Sequence, residues 1–122
     1  MALKIYCHRI RKYIGAYAAV LEDLDALIFT GGIGENAPLV RELCCRGLNR
    51  LGIVMDAERN HVSGSGLREI SPPNGEVRVL IVPTDEALRI AQLSSIFITS
   101  QLWMVWRSVP RTFWLQEVKR GP

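Results

Sequence analysis

The chain has 122 residues, enough for one domain with a modest core. Its 48% apolar and 22% charged residues are those of a soluble globular protein and exclude a chain too polar to fold. A net charge of +3 is too small to argue for nucleic acid, and the excess sits entirely in residues 93–122, because residues 1–92 carry as many acidic as basic side chains.

Residues 3–22 read as an amphipathic helix. Ile10, Tyr13, Ile14, Tyr17, Ala18 and Leu21 recur at the helical spacing, with Arg9, Arg11 and Lys12 off that face. Gly15 and Ala16 are small enough to admit a close neighbour. His8 has no partner carboxylate or second histidine at helical spacing and reads as an exposed helix residue. Nothing here resembles a signal peptide, since Met1-Ala-Leu-Lys leads into mixed polar sequence.

Asp25–Thr30 follows as a strand apolar enough to be buried on both faces. It runs into Gly31-Gly-Ile-Gly34, three glycines in four residues. A helix then begins at Ala37 or Pro38, where the missing proline N–H is not needed. Its buried stripe is Val40, Leu43, Cys44, Gly47, Leu48 and Leu51, and Gly52 stops it. Ile53-Val-Met55 reads as a short strand closed by Asp56. The polar stretch 57–75 reads as loop, with one brief strand near Leu67–Ile70, and His61 in it has no companion ligand.

Val77–Val82 is the second clear strand. Pro83 ends it, Thr84 is a natural N-cap, and Asp85-Glu86 bring negative charge to the first turn of a helix running to about Ser95. Beyond Leu93 the character changes, and all three tryptophans (Trp103, Trp106 and Trp114) fall there. The apolar run Ile96–Trp106 is too short and too interrupted for a membrane span. It is either a helix that buries tryptophans or sequence that did not evolve with the rest. Cys7, Cys44 and Cys45 show neither metal spacing nor a disulfide framework, and read as reduced cytosolic thiols.

The stretch with the most chemistry is Asp25–Pro38. A strand, a glycine turn and a helix start offer free backbone N–H groups and the positive end of a helix dipole, which suits an anion or nucleotide. Gly32-Ile-Gly34-Glu-Asn-Ala37 also meets the G-x-G-x-x-A pattern of a dinucleotide site, with Asp56 as the acidic residue further on. Against that reading, a helix precedes the strand and the next strand is very short. No Gly-Lys-Ser/Thr follows, so a P-loop is excluded. The bland alternative is a tight connection with Glu35 and Asn36 as first-turn residues. Glu86, just past a strand end, either reaches a magnesium ion or merely complements a helix dipole.

Thr30-Gly-Gly-Ile-Gly-Glu-Asn36 resembles the adenosine-binding loop of acetate and propionate kinases. Tyr6-Cys-His-Arg9, Lys12–Tyr17 and Ile81-Val-Pro-Thr-Asp-Glu86 resemble the same family in order and spacing, from about Leu3 to about Gln92. The resemblance implies an α/β fold, the C-terminal part of a ribonuclease-H-like (actin-like ATPase) domain in residues 1–92, with a divergent tail in 93–122. It further implies reversible transfer of the ATP γ-phosphoryl group to acetate or propionate. By resemblance, Gly32, Ile33, Gly34, Glu35 and Asn36 pack on the adenosine of ATP or ADP and Glu86 helps hold Mg2+, while no catalytic residue of the family falls on this chain. The family often has a second acidic residue where this chain has Ala87. A cytoplasmic fragment, inactive alone and part of a homodimer in the parent, is the resulting expectation. Rival readings are a dinucleotide-binding fragment and a non-catalytic interaction module, both without nucleic acid or membrane.

Overall fold

The computed structural model describes residues 1–21, 24–85, 96–100 and 103–106. Its first element is helix α1 (Ala2–Leu21), which buries Cys7, Ile10, Ile14, Ala18 and Leu21. That stripe advances by three or four residues, as the sequence pattern requires. Tyr13, on the margin of the stripe, is 50% exposed. A side chain at Gly15 would meet nothing within 4 Å, so its smallness serves no close contact among the described residues.

Strand β1 (Ala26–Phe29) is buried at every position, which fits a strand covered on both faces. It pairs in parallel with β3 (Arg78–Ile81), with Ala26 opposite Arg78 and Phe29 opposite Ile81. A two-residue β2 (Arg68–Glu69) lies antiparallel on the outer side of β3. There Ser71 extends the ladder: its hydroxyl accepts from the Val79 N–H at 3.2 Å and donates to Glu69 at 3.0 Å. Two tail segments, β4 (Ile96–Ser100) and β5 (Trp103–Trp106), pair with each other, and β5 runs antiparallel to β1. The strand order is β2-β3-β1-β5-β4. The helix entertained for Ile96–Trp106 is therefore replaced by two strands, in keeping with the β-branched and aromatic residues there.

Leu27, Phe29, Val79 and Ile81 alternate onto one face of the sheet and join the stripe of α1 in a single core, with Val40, Cys44 and Ile53. The helix expected over 37–51 is shorter. Helix α3 is Pro38–Cys45, and a separate 3-10 turn covers Asn49–Leu51. Gly47 (φ 78°) and Gly52 (φ 81°) both take left-handed backbone, so the chain stops at the first glycine and turns again at the second. Leu51 is correspondingly 40% exposed.

Ile53–Met55 is not a strand. Its neighbours make isolated main-chain bonds instead: Asp56 N–H donates to the Ile70 carbonyl at 2.7 Å and Val77 N–H to that of Gly52 at 3.3 Å. The stretch expected as loop holds a short helix, α4 (Ala57–His61), capped by the Asp56 carboxylate, which accepts from the Arg59 N–H at 3.1 Å. Among the described residues no helix is long and apolar enough to cross a membrane. The helix expected over 85–95 lies, past Asp85, outside the described residues.

Candidate functional site

Because β1 and β3 are parallel neighbours, their carboxyl ends lie on one edge of the sheet, where ligands of open α/β sheets gather. From β1 the chain leaves through Thr30 into Gly31, whose φ of 80° permits the abrupt change of direction. The expected glycine loop is itself helical: α2 spans Gly31–Asn36, ending where α3 starts one residue later. The turn is stabilised by the Ala37 N–H to Ile33 carbonyl bond at 2.9 Å and by the Asn36 side-chain amide, which donates to the Gly32 carbonyl at 2.9 Å. Those bonds draw 31–36 into helical backbone despite its glycines.

Within α2, Gly34 is buried and Glu35 half-buried, while Gly32, Ile33 and Asn36 are exposed. Ile33, at 45% exposure, is an apolar side chain held in solvent next to an amide. A Cβ at Gly32 would meet nothing within 4 Å, so that face is open among the described residues. From the end of β3, Thr84 approaches the turn: its hydroxyl donates to Oε2 of Glu35 at 3.5 Å. Thr84 and Asp85 are already helical, so Thr84 lies inside the helix start rather than at the N-cap position. Glu86, two residues on, falls outside the described residues.

Beneath the turn lies a group that sequence reasoning missed. Arg41 of α3 is 1% exposed and has no carboxylate partner among the described residues. Its Nε donates to Oδ1 of Asn60 at 2.7 Å and one terminal nitrogen donates to the Asn60 carbonyl at 2.9 Å. The other terminal nitrogen donates to the carbonyls of Gly34 at 2.8 Å and Glu35 at 3.1 Å. Asn60, 0% exposed, donates in turn to the Pro38 carbonyl at 2.9 Å. Arg68 adds a longer bond to the Glu35 carbonyl at 3.4 Å. Burial, and then the neighbouring Arg68, lower the Arg41 guanidinium to about 10, so it stays charged at neutral pH. The only sequence cue was that Arg41 shares a helix face with the buried Cys44 and Cys45.

Asp56, the candidate ribose-binding acid of the dinucleotide reading, caps α4 and ends no strand. Half of that fingerprint is thereby lost. A groove of about 510 Å³ between α1 and the end of α3, lined in part by Lys4, His8, Arg11 and Arg46, shares no residue with the turn. The described residues hold no cluster of three or more metal-ligating side chains.

The profile of the Acetokinase family matches residues 1–92. The chain belongs to that family. It is 51% identical over 92 residues to the acetate kinase of Syntrophobacter fumaroxidans, and 50% identical over 100 residues to that of Campylobacter jejuni. These alignments cover 75% and 82% of this chain but 22% and 25% of the relatives, so the chain spans about a quarter of their length. Among solved structures it resembles the acetate kinase of Porphyromonas gingivalis (TM-score 0.66, 44% identity), covering 75% of this chain and 23% of that one. A propionate kinase from Francisella tularensis is similar at TM-score 0.60 and 37% identity over the same shares. The fold is thus that of the actin-like ATPase enzymes, as the sequence resemblance implied.

Proposed function

We propose that this chain supplies the adenosine-binding turn of an enzyme that transfers the γ-phosphoryl group of ATP reversibly to acetate or propionate, giving an acyl phosphate. Family membership supports the reaction class. The observation that carries the site is the joint exposure of Gly32, Ile33 and Asn36 at the carboxyl edge of β1 and β3. An exposed apolar side chain beside an amide suits the flat, hydrogen-bonding surface of a nucleobase.

The donor set fits the nucleoside of ATP better than its phosphates. Arg41 donates to main-chain carbonyls and to Asn60, and Arg68 to the carbonyls of Val62 and Glu35. Glu86 is the residue that would hold Mg2+, whose part is to neutralise phosphate charge during transfer. In this reading no catalytic residue belongs to the chain, and ATP or ADP and a short-chain acid are the ligands of the parent enzyme, a cytoplasmic homodimer. Neither nucleic acid nor membrane is a partner, and residues 93–122 are a divergent tail.

A phosphotransfer assay on the purified 122-residue chain, with acetate or propionate and ATP, tests the division of labour. No turnover above background is expected. Turnover would place catalytic groups within these residues.

A further inference from the structure

We infer that Arg41, held by Asn60, is a positioning residue for the nucleoside-binding turn: it fixes the C-terminal carbonyls of α2 and so sets the orientation of Gly32, Ile33 and Asn36. The inference rests on the reading of that turn as a nucleotide site.

A helix of six residues, three of them glycine, has little stability of its own. Its last carbonyls have no partners within the helix unless something outside supplies donors. The Ile33 carbonyl is bonded by Ala37, and the carbonyls of Gly34 and Glu35 are bonded by Arg41. A positive charge at a helix C-terminus also opposes the partial negative charge there. Burying a guanidinium is unfavourable unless its donors are satisfied, and here the acceptors are all neutral.

The geometry demands a fork. One guanidinium reaches two carbonyls of α2 on one side and two oxygens of Asn60 on the other. A lysine would keep the charge but offer a single nitrogen. The anchor also spans three elements, because Asn60 belongs to α4 and itself bonds the first residue of α3. Orientation of the turn is therefore imposed from the buried side, away from the exposed residues that would meet the ligand.

The test uses the full 122-residue chain in three forms: wild type, Arg41→Lys, and Ile14→Ala as a control that weakens the core without touching the turn. Amide hydrogen exchange and ATP titration calorimetry are measured on each. Arg41→Lys is expected to exchange the amides of Glu35–Ala37 at least about tenfold faster and to bind ATP about tenfold more weakly, the equivalent of one charge-assisted hydrogen bond. Ile14→Ala is expected to bind ATP as the wild type does. Equal ATP affinity in wild type and Arg41→Lys overturns the inference, as does unchanged exchange at the turn. Loss of ATP binding in Ile14→Ala as large as in Arg41→Lys also overturns it, because the effect would then be general destabilisation. If Arg41→Lys does not fold, wild-type exchange decides: amides of the turn protected like those of α3 support the anchor, and amides exchanging like a free terminus refute it. A folded wild type that binds no ATP refutes the nucleotide reading itself, which is a separate result.

Discussion

The Thr84 hydroxyl stands 3.5 Å from the carboxylate of Glu35, a residue 49 positions earlier in the chain. Two motifs that are far apart in sequence are thereby joined on one sheet edge. The parallel pairing of β1 and β3 is the cause, since it sends both strands toward that edge before each turns into a helix. Distance and exposure make the bond itself weak. It sets the Thr84 side chain beside that of Glu35 in the Gly31–Asn36 turn.

Gly31 controls how the chain leaves β1. With φ at 80°, an alanine there is forced into left-handed backbone. Gly31→Ala should lower stability by about 1–2 kcal/mol. Gly32→Ala, where a Cβ meets open space, should change it far less when both are measured in one urea-unfolding series. Equal losses at both positions would show that the turn is not built as described.

Asp56 separates the nucleotide readings. As an N-cap it accepts a bond from Arg59 N–H, so Asp56→Ala should cost about 1 kcal/mol and Asp56→Asn much less. Neither change should alter nucleotide binding, and the chain should not bind NAD. Saturable NAD binding that is lost in Asp56→Asn would revive the dinucleotide reading.

The paired cysteines give stability a pH dependence. Burial pushes the Cys45 thiol up to about 12, and burial together with Cys7 raises that of Cys44. Both thiols keep their protons in the folded chain at pH values where the unfolded chain releases them. Unfolding then releases protons, so stability falls as pH rises above the ordinary thiol value of 9.0, by about 1.4 kcal/mol per pH unit for each thiol. Urea midpoints at pH 8, 9 and 10 should fall more steeply for the wild type than for a Cys44→Ala/Cys45→Ala variant. Parallel slopes would mean that the thiols are not buried in this way.

Much of the frame was legible because its signals were long or continuous. Helix α1 repeats its apolar stripe over five turns' worth of sequence, about 20 residues, and β1 and β3 are unbroken apolar runs. The end of α3 was not legible, because Gly47 and Gly52 are equally good stops and only the fold shows that the chain uses both. Helix α4 was hidden in a polar stretch whose one cue, Asp56, also suited the end of a strand. The turn could be found from its motif, but neither the burial of Gly34 within it nor the arginine that bonds its carbonyls could. An arginine between Val40 and Glu42 reads as solvent-facing until α4 brings Asn60 against it.

We propose that Gly32–Asn36 is a working adenosine site. The most direct measurement is ATP titration calorimetry on the folded 122-residue chain, with and without magnesium, beside an Asn36→Ala variant. Weak, saturable ATP binding by the wild type is expected, falling about tenfold or more in Asn36→Ala. A folded wild type that binds no ATP, or an Asn36→Ala variant that binds it equally well, would contradict the claim.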